Sequence, residues 1–118
     1  MNKHEHITLY TYHNNANTKK LRKHFDSNNY NYEIRNIQSS PLELDEFNYL
    51  LSKTENGVED ILATGSSIYK ELCAKGVDFE SITLSELHSL ICVHFKLLKV
   101  PTMIQGNRFK TGVRGFGL

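Results

Sequence analysis

The alternation of apolar and polar residues predicts two β-strands near the amino terminus. Ile7–Thr11 alternates with the two-residue period of a strand and is rich in β-branched and aromatic residues, and residues 30–37 follow the same pattern. Between them, Leu21 and Phe25 lie one helical turn apart in a stretch with a basic outer face, which predicts a helix over residues 18–25. A strand, a helix and a strand in so short a segment form a βαβ unit, and we expect its two strands to be parallel.

The middle of the chain, residues 39–95, is predicted to be mainly helical. Ser40 is a helix-capping residue type and Pro41 suits a first helical turn, so we expect a helix to begin there. We expect this helix to stop at Asn56-Gly57, because glycine permits the positive φ that often follows a helix end.

Three further helices are predicted in the same region. Two of them are short, over residues 58–62 and 67–75. The third begins at Thr83, since Thr83 and Glu86 have the spacing of a capping box and apolar residues then recur with a helical period.

The apolar pattern returns to strands at the carboxyl end. Residues 101–105 and 108–112 flank Gly106-Asn107, a two-residue connection typical of a β-hairpin. A βαβ unit, a helical insertion and a hairpin together predict an α/β fold with a four-stranded mixed sheet. The length of 118 residues fits one compact domain, so we expect residues 1–118 to form a single domain.

Charge and hydropathy exclude several classes of function. Fourteen Lys and Arg against thirteen Asp and Glu give a formal net charge of +1, too small for a strong attraction to DNA or to an anionic membrane. No apolar run is long enough to cross a bilayer, and no signal-peptide core precedes the first strand. We therefore expect a cytoplasmic protein without a membrane partner.

The residues that could support metal or thiol chemistry are few. Cys73 and Cys92 stand far apart in the sequence, and Cys92 lies beside apolar residues, where a buried structural thiol is expected. His88 and His94 miss the spacing that places two imidazoles on one helical face, and we expect no cysteine or carboxylate framework beside them. The sequence predicts no metal site and no cofactor.

Four segments in this order resemble the arsenate reductase/Spx family. They are "ITLYT" before the first loop, "YEIRNIQSSPL" after the first helix, "KTENGVEDILATGSSIYKEL" in the insertion, and "LLKVPTMI" entering the hairpin. The resemblance implies a thioredoxin-like fold with a helical insertion between its βαβ and ββ parts. The segment around Thr54 is most similar to the Spx-type transcriptional regulators of that family.

The resemblance also implies what this chain lacks. Members of the family carry a reactive cysteine in the first loop, and Spx-type regulators usually carry a C-x-x-C motif there, whose two positions fall at Asn15 and Thr18. Arginines that hold an oxyanion in the reductases fall at Gly65 and Val100. Since neither glycine nor valine replaces a guanidinium, we expect no arsenate reduction, and we interpret Asn15 and Thr18 as turn and N-cap residues.

The partner implied by the resemblance is the carboxyl-terminal domain of the RNA polymerase α subunit. The residues expected to contact it are Thr54, Glu55, Asn56, Gly57 and Val58. The hypothesis is a redox-insensitive Spx-like regulator, monomeric alone, that meets promoter DNA only within the polymerase complex. Two alternatives stay open: a thiol oxidoreductase of the arsenate reductase or glutaredoxin-like kind, and an inactive family member that acts as a decoy.

Overall fold

The computed structural model describes residues 5–12 and 15–112 of the chain. Strands and helices follow one another in the order that the apolar pattern predicts. In chain order they are β1 (Ile7–Thr11), α1 (Ala16–Ser27), β2 (Tyr32–Asn36), α2 (Leu44–Ser52), α3 (Val58–Ile61), α4 (Ser67–Ala74), α5 (Leu84–Val93), a 3₁₀ helix (Phe95–Leu97), β3 (Thr102–Gln105) and β4 (Arg108–Thr111).

The four strands form one mixed sheet in the order β2-β1-β3-β4. β1 pairs with β2 in parallel, as expected of a βαβ unit. β3 pairs antiparallel with both β1 and β4, and Gly106, with φ of +58°, occupies the tight turn between β3 and β4. The predicted four-stranded mixed sheet with a terminal hairpin is therefore confirmed.

The two faces of the sheet are covered by different helices. On one face, Leu9 and Met103 pack with Leu21 and Phe25 of α1. On the other face, Tyr10 belongs to a larger cluster of buried residues that the insertion helices supply. That cluster includes Phe47, Leu50, Ile61, Leu72, Leu87 and Ile91. The sheet thus lies between two apolar layers, and in the described part of the chain α1 is the one helix that contributes buried residues to the first of them.

The start of α2 differs from the prediction. The helix begins at Leu44, after the N-cap residue Glu43, and Ser40 and Pro41 lie before it. Glu43 and Glu46 form a capping box, in which the Glu46 side chain accepts the Glu43 N–H at 3.0 Å. Arg35 donates to the carbonyl oxygens of Ser40 (2.5 Å) and Pro41 (2.9 Å), so those residues are held outside the helix by a contact with β2.

The end of α2 also corrects the sequence interpretation. α2 ends at Ser52 with Lys53 as its C-cap, four residues before the predicted stop. Gly57 does have a positive φ, of +67°, but it serves as the N-cap position of α3. The two short helices and the capping box of α5, formed by Thr83 and Glu86, are confirmed.

Two local features complete the description. The Val100-Pro101 peptide bond is cis, and the Pro101 carbonyl accepts the Gly112 N–H at 2.8 Å, which extends the β3–β4 ladder by one pair. In the part of the chain that the structure describes, no helix combines the length and the apolarity needed to cross a lipid bilayer.

Replacing Phe47 with alanine should test the larger apolar layer. The Phe47 side chain is 0% exposed, and Tyr49 in the same helix is 48% exposed. We expect Phe47→Ala to lower the free energy of unfolding by about 3–5 kcal/mol because it leaves a cavity, and Tyr49→Ala to lower it by less than about 1 kcal/mol. Urea titrations followed by circular dichroism measure both values, and equal costs would contradict the packing described.

The ion pair between Arg35 and Glu46 should make stability depend on pH. Arg35 Nε and Nη2 lie 2.7 and 2.6 Å from the two Glu46 carboxylate oxygens, and the hydrogen bond from Arg35 holds the pKa of Glu46 below its usual value. A lowered folded-state pKa contributes stability above the unfolded pKa of about 4.3, and this stability is lost as pH falls through the folded pKa. We expect Glu46→Gln to cost about 1–2 kcal/mol at pH 7.

The same measurement at acidic pH provides the control. The difference between the native protein and Glu46→Gln should shrink below about pH 4, where the native carboxylate also becomes protonated. A difference that stays constant from pH 7 to pH 3 in urea titrations would show that the charge of Glu46 does not stabilise the fold.

Candidate functional site

The first candidate site is the corner where β1 ends and α1 begins. Asn15 is the N-cap of α1, and its Oδ1 accepts hydrogen bonds from the Thr18 backbone N–H (2.9 Å) and the Thr18 hydroxyl (3.0 Å). The interpretation of Asn15 as a cap is therefore confirmed. Thr18 does not cap the helix, because it lies inside the first turn with its side chain turned into the protein.

Thr18 is 6% exposed and meets a second hydroxyl that the sequence analysis missed. Its Oγ1 lies 2.6 Å from Oγ1 of Thr11, the last residue of β1. Thr18 Oγ1 also lies 3.0 Å from Asn15 Oδ1, and Thr11 Oγ1 lies 3.3 Å from the Tyr12 carbonyl oxygen, so either threonine can donate in this pair. A chain of neutral hydrogen bonds thus fills the position that the resemblance aligns with a first-loop thiol, and the side chains of Thr11, Asn15 and Thr18 form neither a thiolate nor a disulfide.

The space beside this corner is small. A cavity of about 140 Å³ is lined by Thr11, Asn15 and Thr18 together with the cationic residues Lys19 and Arg22. Pockets for drug-sized ligands have volumes of roughly 300–1,000 Å³. As the described residues form it, the corner has room for water or a small ion.

The two positions that the resemblance aligns with oxyanion-binding arginines carry no charge. Gly65 is exposed in the turn before α4, and Val100 precedes the cis proline. Beside Val100, Lys96 and Lys99 line a cavity of about 440 Å³ with Tyr12. Lysine offers a point charge and not the planar fork of a guanidinium.

The second candidate site is the loop between α2 and α3, residues 54–58. Thr54 Oγ1 donates to the Leu51 carbonyl at 2.7 Å, which fastens the loop to the end of α2. The Asp60 carboxylate accepts the backbone N–H groups of Glu55 (3.0 Å) and Asn56 (2.9 Å). These backbone donors, with that of Asn56 first, hold the pKa of Asp60 below its usual value. The loop is thus pinned at both ends.

Gly57 gives this loop its shape. Its φ of +67° is a conformation that other residues adopt rarely, and a Cβ built on it meets nothing within 4 Å. Glu55 and Asn56 are exposed beside it, while Val58 is half-buried against the larger apolar layer. The predicted partner residues therefore form one continuous loop, exposed at Glu55 and Asn56, with open space at the Cβ position of the half-buried Gly57.

Asp60 is a residue of the second candidate site that the sequence analysis did not find. The one sequence signal for this role is that Asp60 is an acidic residue in the first turn of a short helix. At a helix start, a carboxylate can accept backbone N–H groups that have no partner within the helix. The two candidate sites are separate. Asn15 and Thr18 line the cavity at the first-loop corner, Glu55 and Asn56 line a cavity beside β4, and the two cavities share no lining residue.

The two cysteines lie on helices of the insertion. Cys73 is exposed on α4, and Cys92 is half-buried on α5, so the expectation of a fully buried thiol is wrong. Cys92 Sγ donates to the Leu42 carbonyl at 3.3 Å and lies 3.4 Å from His88 Nε2, although no cysteine was expected beside His88. Burial raises the pKa of Cys92, which disfavours a thiolate.

Metal ligation is a further kind of chemistry that His, Cys, Asp and Glu side chains can perform. Within residues 5–12 and 15–112, no three His, Cys, Asp or Glu side chains gather closely enough to hold a metal ion.

A comparison of the sequence with protein families decides the relationship. A sequence model of the ArsC family matches residues 10–114. The chain belongs to the ArsC family. Among similar ArsC-family relatives is the global transcriptional regulator Spx of Bacillus subtilis strain 168, which is 34% identical over 106 residues, 90% of this chain and 79% of that protein. Spx of Streptococcus pneumoniae strain R6 is 35% identical over 106 residues, 90% of this chain and 77% of that protein.

Solved structures of ArsC-family proteins share the fold. An arsenate reductase from Vibrio cholerae superposes with a TM-score of 0.79 at 14% identity, covering 97% of this chain and 95% of that one. An arsenate reductase related protein from Brucella melitensis gives a TM-score of 0.64 at 14% identity, covering 90% and 85% of the two chains. These likenesses confirm a thioredoxin-like fold and, at such identities, nothing about shared activity.

The contact between Thr11 and Thr18 can be tested by a double-mutant cycle. Thr18→Val removes the hydroxyl at 2.6 Å and leaves Thr11 with the more distant Tyr12 carbonyl at 3.3 Å, so we expect a loss of about 1–3 kcal/mol in the free energy of unfolding. Replacing both threonines by valine removes the pair together and should cost less than the sum of the two single changes. Additive losses in urea titrations would contradict a direct hydroxyl–hydroxyl contact.

Proposed function

We propose that this ArsC-family protein is an Spx-like transcriptional regulator that binds the carboxyl-terminal domain of the RNA polymerase α subunit through residues 54–58. The observation that carries the proposal is the open, positive-φ glycine at position 57 in an exposed loop. The relatives named as Spx regulators, about one third identical over most of the chain, support the assignment to regulation.

A glycine suits such a contact for a steric reason. Without a side chain at Gly57, a partner backbone can approach the loop directly, and any Cβ would hold it away. The hydrogen bonds from Glu55 and Asn56 to Asp60 fix the loop before a partner arrives, so little conformational entropy is lost on binding. The loop has the rigidity and the access that protein recognition requires.

The first-loop corner supports regulation without a thiol switch. Asn15, Thr18 and Thr11 are linked by neutral hydrogen bonds, and none of these side chains contains sulfur. Under this proposal, oxidation does not change the corner, and the amount of protein sets the strength of regulation. Promoter DNA is contacted only within the polymerase complex.

The thiol-enzyme alternative is weakened by the surroundings of the cysteines. A nucleophilic cysteine needs its thiolate stabilised by a cation or a helix N-terminus, and burial raises the pKa of Cys92 instead. Cys73 is exposed near the carboxyl end of α4, where the helix dipole disfavours negative charge.

Substitution of Gly57 should abolish binding to the polymerase domain. We expect Gly57→Arg to weaken binding of the purified α carboxyl-terminal domain by more than about tenfold in a biolayer interferometry assay, because the side chain occupies the space of the partner. Gly76→Arg is the matched control, since Gly76 also has a positive φ (+99°) and open space around its Cβ position. It should leave the affinity within about twofold, which separates partner contact from backbone strain.

Two results would count against the proposal. One is equal retention of the native protein and Gly57→Arg, and the other is no retention of either.

Treatment with diamide in a Cys73→Ser background should leave the affinity unchanged, and a loss that dithiothreitol reverses would reveal a thiol switch. Binding without any effect on transcription in vitro would identify a decoy for the polymerase.

A further inference from the structure

Within residues 5–12 and 15–112, one edge of the sheet has backbone groups without a strand partner. β4 pairs with β3 alone in the described sheet, so its other side ends the order β2-β1-β3-β4. The hydrogen bond from Gly112 N–H to the Pro101 carbonyl fixes which residues bond across the ladder. Because donors alternate along an antiparallel pair, the backbone groups of Phe109 and Thr111 point away from β3.

A broad cleft runs along this edge, and we call it the β4 cleft. It has a volume of about 560 Å³ and lies between β4 and the segment that joins α2 to α3. Its charged lining residues are Lys53, Glu55, Asp60, Lys99, Arg108 and Lys110. Four cations against two carboxylates make the cleft positive, although the whole chain has a net charge of only +1.

Among the described residues, the cations of the β4 cleft form no ion pair with a carboxylate side chain. Lys53 Nζ donates to the side-chain oxygen of Asn107 at 2.9 Å, and Lys99 Nζ donates to the Glu59 carbonyl at 3.2 Å, so both bond to neutral oxygens. Among the described residues, neither Arg108 nor Lys110 forms an ion pair with a carboxylate. The local positive charge is therefore available to a ligand.

One of the two carboxylates of the cleft is already engaged. Asp60 accepts the N–H groups of Glu55 and Asn56, and Lys99 adds to the lowering of its pKa. Glu55 remains as the one exposed acidic side chain in the cleft lining.

The cations are distributed on both sides of the edge. Arg108 and Lys110 alternate with Phe109, so they share one face of β4 while Phe109 packs on the larger apolar layer. Lys53 and Lys99 come from the insertion side of the cleft. An extended chain laid along β4 would present successive side chains alternately to these two pairs of cations.

We propose that the edge of β4 binds an acidic, extended peptide segment by β-strand addition. The outward N–H and C=O groups of Phe109 and Thr111 match the alternating donors and acceptors of a peptide backbone, which a nucleic acid lacks. The four cations select carboxylate side chains on both faces of the added strand. This binding goes beyond the proposed polymerase contact, with which the β4 cleft shares Glu55 and Asn56 but not Gly57.

The experiment uses the whole protein and a labelled octapeptide of sequence Val-Glu-Glu-Val-Val-Glu-Glu-Val, which places glutamates on both faces of an added strand, with the peptide that has lysine in place of glutamate as the matched probe. Fluorescence anisotropy should show saturable binding of the acidic peptide and none of the basic one. N-methylation of alternate residues of the acidic peptide should weaken binding by more than about tenfold, because it removes backbone donors without changing charge. In nitrogen-15 correlation spectra, the amides of Phe109 and Thr111 should shift on binding.

Paired charge reversals locate the site. Arg108→Glu/Lys110→Glu and Lys53→Glu/Lys99→Glu should each weaken binding by more than about tenfold. Lys20→Glu/Lys23→Glu makes the same change of charge on exposed residues of α1 and should keep the affinity within about twofold. Circular dichroism of all variants verifies that the fold is retained. Because Lys53 and Lys99 lie outside β4, the Lys53→Glu/Lys99→Glu variant tests the site even if changes within β4 disturb the hairpin.

Several outcomes would overturn the proposal. They are no saturable binding of the acidic peptide, full affinity of the N-methylated peptide, or displacement of the peptide by duplex DNA at equal concentration, which would identify a phosphate-binding surface instead. Gly57→Arg should retain peptide binding. Failure of the polymerase contact and failure of the β4 cleft are therefore distinguishable.

Discussion

The burial of β1 on both faces is the constraint on which the rest of the fold depends. Leu9 and Tyr10 are adjacent in β1, yet Leu9 packs under α1 and Tyr10 packs under the insertion helices. A strand that must be covered on both sides requires two separate apolar layers, and here α1 supplies one layer while the insertion helices supply the other. It also fixes Thr11, the last residue of β1, against the start of α1, so the first-loop corner is a direct result of the packing.

The elements that the sequence predicts well are those whose signals are local. The alternation in Ile7–Thr11, the capping box at Thr83 and the Gly106 turn each act over a few residues, and each is found as expected. The start of α2 was not predictable in this way. Its position is set by Arg35, which reaches from β2 and holds Pro41 outside the helix, and such a tertiary contact leaves no periodic pattern in the sequence.

The candidate sites also combine features with local sequence signals and features that depend on tertiary contacts. The cap role of Asn15 follows from its residue type and place before a helix, whereas the contact between Thr11 and Thr18 depends on how β1 meets α1. The positive φ of Gly57 was expected, but its role was assigned to the end of α2 and not to the beginning of α3, because α2 ends earlier than its apolar stripe suggested. The hydrogen bonds to Asp60 could be found only once that boundary was known.

The pair of buried hydroxyls has a consequence for the chemistry of the corner. Neither Thr11 nor Thr18 titrates or is oxidised under physiological conditions, so the pair keeps one chemical state when pH or redox potential changes. The geometry of the pair is therefore set once, when β1 meets α1 during folding.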